Sequence, residues 1–210
     1  SPPGLSLPYD YDYGYDDNLS APAMCDLLVE TLRCGYTKVA TLSFANSHSH
    51  GFEWLWERNG GRPIVDPARW DNWHAMVHAD PQEGMEVVFR WYMEVLASLL
   101  GKLDETEDGD GGSLLDSSLV LCISEFSSGR HWHNSLPIVL AGNLGGAPTG
   151  RWLDLMAGSL EDFEASRGSM QSGATMNQLC VSLLHAFGFD DPSFGYAPSE
   201  LPLGPLPGLM

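Results

Sequence analysis

"SSLVLCISEFSSGRHWHNSLPIVLAG", residues 117–142, holds two apolar runs around a polar stretch rich in charge and imidazole. The first run, "SSLVLCIS", is apolar on both faces, as a strand inside a parallel sheet is. "LPIVLAG", residues 136–142, repeats that pattern. Glu125, Arg130, His131 and His133 lie between them. In layered α/β proteins, functional side chains collect beyond the carboxyl ends of the strands. The segment from Ser124 to Ser135 is accordingly read as a loop leaving such an end.

The flanking sequence extends this reading. Upstream, Ser20 is placed to cap a helix running to about Gly35, with Met24, Leu27, Leu28, Thr31 and Leu32 at the spacing of one buried face. "TKVATLSF", residues 37–44, reads as a strand. A long irregular segment follows to Asp80, with Trp54, Trp56, Trp70, Trp73, His48, His50, His74 and His78. Loops of that length are uncommon unless they serve a function. Its tryptophans can stack on a sugar, although packing a lid onto the core is their simpler use.

A second helix is expected over 83–101, with Met85, Val88, Phe89, Tyr92, Leu96, Leu99 and Leu103 inward. "DETEDGDGG" ends it as a solvated turn. A last helix is expected over 173–187, with Leu179, Cys180, Leu183, Leu184 and Phe187 inward and Gly188 as its stop. The resulting order of elements predicts an α/β fold with a mainly parallel sheet flanked by helices. Residues 1–19, alternating Tyr and Asp, read as an acidic arm, 20–196 as the domain, and 197–210 as a Pro-rich tail. The DxDxG order within the arm lacks the register and closing Glu of a calcium loop.

Composition limits the partners. Asp and Glu number 28 against 10 Lys and Arg, a formal charge of −18, which repels nucleic acid and anionic lipid. No apolar run reaches the eighteen or more residues of a membrane span. The four cysteines lack CxxC spacing. Cys25 and Cys34 on one helix would stand roughly 13 Å apart, too far to bridge.

One carboxylate and several imidazoles suit a divalent metal of the zinc, manganese or iron class. Glu125, His131 and His133 are candidate ligands from one loop. If extended, His131 and His133 point to opposite sides. His74 and His78, four residues apart, can share a helical face as a second ligand pair. A serine hydrolase is disfavoured, because no GxSxG elbow is present.

Several stretches together resemble a known family. "CGYTKVATLSFAN", "WYMEVLASLLGKLDET", the block from Leu114 to Leu153 and "MNQLCVSLLHAFGFDDPSFG" are similar to the carboxyl-terminal half of uncharacterised exported bacterial proteins named for an HXXSHH motif. The likeness covers roughly residues 20–196, and the block from Leu114 is its most specific part. It implies a partial alkaline-phosphatase-like fold, distantly similar to the phosphatase and sulfatase superfamily. Glu125 then matches the acidic position after the strand, and His131 and His133 the His-rich loop.

The motif itself falls on "HAMVHA": His74 and His78 are kept, while Val77 stands for the serine and Ala79 for the last histidine. The superfamily's early nucleophile strand has no counterpart here. These departures favour a non-catalytic exported scaffold or binding subunit that works with another polypeptide or a missing half. The alternative is a metal-dependent phosphate- or sulfate-ester hydrolase completed by such a half, with Arg130 holding the anionic substrate. The resemblance also implies a periplasmic or extracellular location after removal of a leader.

Overall fold

A parallel neighbour requires a crossover that carries the chain back to the starting end of the sheet, usually through a helix. No helix occurs among the described residues between Ile123 and Ile138, so the chain doubles back directly. The computed structural model describes residues 17–43, 52–79, 82–131, 135–146, 150–155, 173–196 and 202–209. In it the two apolar runs form strands β1 (Val120–Ile123) and β2 (Ile138–Ala141), paired antiparallel with Val120 opposite Ala141 and Ile123 opposite Ile138. The expected mainly parallel, alkaline-phosphatase-like sheet is therefore overturned: the described residues contain one two-stranded antiparallel sheet and four α-helices. Residues 37–43 form no strand, and Val39 there is 80% exposed. The helices are α1 (Asp17–Arg33), α2 (Trp73–His78), α3 (Gln82–Glu105) and α4 (Met176–Ala186).

By internal contacts the chain divides into two units, Ser1–Leu114 with Ser128–Arg130, and Leu115–Ser127 with His131–Met210. In the first, α1 packs on α3. The buried stripe of α1 is Ala21, Cys25 and Val29, not the expected row through Met24 and Leu27, which are exposed. On α3 the buried stripe is Val88, Trp91, Val95, Leu99 and Leu103. Phe89, expected inward, is 52% exposed. Apolar side chains cover more than one face of both helices, so periodicity alone does not single out the buried one. Lys102 of α3 pairs with Asp26 of α1 at the surface, a contact worth at most about 1 kcal/mol.

Burial pushes the Cys25 thiol up, Asp26 adds to this and Lys102 opposes it. Burial likewise raises Cys122 and Cys180. A thiol raised on folding keeps its proton longer in the native chain. The stability linked to that proton is whole below the ordinary thiol range and is lost as pH climbs through the raised value. Thiolate is the reactive form, so exposed Cys34 is expected to react first with a disulfide reagent at mild pH. Cys25 should react only after denaturant is added. Peptide mapping of the labelled protein checks this, and early labelling at Cys25 would contradict its burial.

In the second unit α4 begins with a reciprocal cap. The Thr175 hydroxyl accepts from the Gln178 amide N–H, and the Gln178 side chain accepts from the Thr175 N–H. Gln178, Leu179, Val181 and Ser182 are buried. Phe187, expected inward, is 52% exposed. Ser182 donates to the Gln178 carbonyl and accepts from the Leu206 N–H at 2.7 Å, which ties the Leu206 segment to this helix. As expected, Gly188 follows the helix end, with a φ of +84 that a side chain would strain.

Gly142, directly after β2, has a φ of +105, and a Cβ there would lie 2.1 Å from the Ser118 carbonyl oxygen. Gly142→Ala combines a disfavoured backbone conformation with a main-chain clash. The expected loss is about 2–4 kcal/mol in a urea titration. A cost below about 0.5 kcal/mol would show that this turn relaxes freely.

Candidate metal centre

The site grows from a six-residue helix. Asn72, in extended conformation, caps α2 by accepting the Ala75 N–H at 2.9 Å. One helical turn then stacks His78 above His74. Their Nε2 atoms stand 3.1 Å apart, with ring centroids at 4.6 Å and planes at 78°. The two Nε2 atoms face each other: in a hydrogen bond one ring supplies its N–H and the other its lone pair, whereas a cation would take a lone pair from each. Nitrogens 3.1 Å apart subtend about 98° at a metal held at the usual Zn–N distance of roughly 2.05 Å. That angle lies between octahedral and tetrahedral.

The base of α2 is aromatic. Trp73, its first residue, meets Phe52 edge-on at 5.0 Å. Phe52 also meets Trp54, Trp91 and Tyr92 edge-on, at 5.4, 6.2 and 6.1 Å. Met76, between the two histidines, is fully buried. The inner side of α2 is thereby held in the first unit's core while His74 and His78 stay partly or fully exposed.

The loop after β1 carries Gly129, Arg130 and His131. Ser128–Arg130 belongs with the first unit, and Gly129 lies so close to the last turn of α2 that a Cβ would stand 2.2 Å from the Val77 carbonyl oxygen. The Arg130 N–H donates to the Ser128 hydroxyl at 3.2 Å, tightening this turn. His131 comes next, with a φ of +58, uncommon for a residue with a side chain, and its ring lies 4.7 Å from that of Phe126. One ring nitrogen from each of His74, His78 and His131 lies within 4.8 Å of the others. This cluster can hold a metal ion.

The expected ligands thus separate. Glu125 contributes no atom to the cluster; it is exposed and lines an open depression of about 360 Å³ with Ile123, Ser124, Leu136 and Met176. Arg130 is exposed on the turn before His131. His133, His48 and His50 lie outside the described residues. Sequence reasoning did not identify Asn72 or Gly129. An Asn immediately before "WHAMVH" is a recognisable cap signal, whereas nothing in "SSGRH" announces a close main-chain approach. No family model matches this chain, and no curated protein or solved structure matches it either.

Proposed function

We propose that this chain is a non-catalytic, exported binding subunit that carries a divalent cation on His74, His78 and His131. The observation that carries the reading is the convergence of three imidazole nitrogens within 4.8 Å. An all-imidazole donor set suits zinc and its transition-metal neighbours, and not magnesium or calcium, which take oxygen ligands. Two of the three donors sit four apart on a capped helix. The Glu125 carboxylate, expected as a ligand, stands outside the set.

The partner polypeptide rests on the departures from the HXXSHH motif at Val77 and Ala79. Export rests on the resemblance of residues 20–196 to the HXXSHH family. No helix among the described residues is long and apolar enough to cross a membrane.

A second reading, metal-dependent ester hydrolysis, draws on one feature. Three imidazoles leave a coordination position open, as hydrolytic zinc sites do. A bound cation there would polarise an ester oxygen, and Arg130 would hold its anionic group.

Both readings share one test. The protein is loaded with zinc, desalted and analysed for metal. One ion per chain is expected, with none retained by the His74→Ala/His78→Ala double variant. Retention by that variant, or no metal in the wild type, overturns the site. Turnover of phosphate or sulfate esters by the loaded protein would favour the second reading.

A further inference from the structure

Within the second unit, residues 206–209 are held by their main chain and by one apolar anchor. Leu206 is 5% exposed, and its N–H donates at 2.7 Å to the hydroxyl of Ser182, which is fully buried on α4. That hydroxyl gives its one proton to the Gln178 carbonyl at 3.0 Å, so it meets Leu206 with a lone pair. Arg151 donates one guanidinium N–H to the Gly208 carbonyl and another to the Leu209 carbonyl, both at 2.7 Å. Between these holds the chain turns, with the Leu209 N–H donating to the Leu206 carbonyl at 3.2 Å. Pro207 suits the second position of a type II turn, and Gly208, with a φ of +77, suits the third.

We infer that Ser182 and Arg151 form a recognition site for a Leu-Pro-Gly-Leu turn, filled here by the chain's own residues 206–209 and able to take the same turn from a second copy. Main-chain hydrogen bonds combined with a side-chain anchor are a general means of binding peptides. Proline and glycine preset this turn, which lowers the ordering cost of docking it. The buried Ser182 oxygen is matched to a backbone N–H, and an apolar cover would leave it without that bond. Exchange between two copies remakes the same contacts, a low-cost route to a dimer. The chain's own turn competes at an effective concentration of roughly 1 mM, so in dilute solution each copy holds its own. Neither α2 nor a metal takes part.

Two variants of the whole chain separate the two sides of the contact. Gly208→Val breaks the turn and leaves the site: a Cβ there meets nothing within 4 Å, so the cost lies in the backbone conformation alone. Arg151→Ala/Ser182→Ala removes the site and leaves the turn. In sedimentation velocity each variant alone is expected to remain a monomer up to about 1 mM. An equimolar mixture should shift toward the dimer over the same range, because the intact site of one chain takes the intact turn of the other. A synthetic peptide of residues 202–209 should reverse that shift, and the same peptide carrying Gly208→Val should not.

A mixture that stays monomeric throughout overturns the inference. So does a shift that both peptides reverse equally, or one that either variant shows alone, since another surface would then be at work. Should a variant fail to fold, Leu206→Asp breaks the turn side instead, and Arg151→Ala by itself weakens the site side. The same shift is expected of that mixture, and its absence overturns the inference.

Discussion

His131→Ala is expected to weaken zinc or cobalt binding by about a hundredfold or more. Changes to groups that only orient a metal ligand already cost about ten- to a hundredfold, and loss of a ligand itself costs more. His74→Ala and His78→Ala should do the same, because each removes one of the three nitrogens that converge within 4.8 Å. Glu125→Ala should leave affinity within about twofold, since its carboxylate stands outside the cluster. Stability without metal is a separate readout. His131 is exposed, so the metal-free melting temperature should fall little, by the equivalent of under about 1 kcal/mol. His131→Gly should even gain slightly, because it relieves a φ of +58. A Glu125→Ala loss as large as that of His131→Ala would return the carboxylate to the ligand set.

The contrast between Glu125 and His131 shows how far the sequence could be read. Both lie in the loop after the first apolar run, and composition treats them alike as ligands. Backbone geometry tells them apart: the turn at Ser128–Arg130 packs on α2 within the first unit, and His131 has a left-handed conformation. Neither feature leaves a periodic trace. The i, i+4 spacing of His74 and His78, by contrast, was legible because helix geometry alone stacks such residues, and α2 does stack them.

The strands divide in the same way. Val120–Ile123 and Ile138–Ala141 are strands where apolar runs predicted them, yet their direction depends on the loop between them. Double-sided apolarity predicts burial in a parallel sheet, but Ile123, Ile138 and Val139 are about 40% exposed on an antiparallel pair. A β-branched run reports local preference for extended backbone, and its hydrogen-bonding partner is decided elsewhere. Residues 37–43 show the limit of that preference: strand-like in composition, they form no strand. On α1 and α3 the helices were legible; the buried face was not on α1 and was in part on α3, where Val88, Leu99 and Leu103 are buried as expected.

Phe52→Ala should have the largest effect on the first unit, about 3–5 kcal/mol of stability. The ring is 1% exposed and sits edge-on to Trp54, Trp73, Trp91 and Tyr92, a geometry that adds to the burial itself. Its loss should also reach the metal centre. A six-residue helix has no stability of its own in water and depends on packing, and Trp73, the first residue of α2, packs on Phe52. Phe52→Ala should therefore weaken cobalt binding although it removes no ligand. Tryptophan emission, to which Trp54, Trp73 and Trp91 beside this ring contribute, should shift with the transition.

The backbone adds a test of opposite sign. Phe52 has a φ of +55, which strains any side chain, so Phe52→Gly should cost less than Phe52→Ala by about 1 kcal/mol. That inverts the usual order of the two residues. If alanine proves the milder substitution, the left-handed turn at Phe52 is not what brings the ring under α2. If neither substitution changes cobalt affinity, α2 is held by its Asn72 cap and Met76 alone.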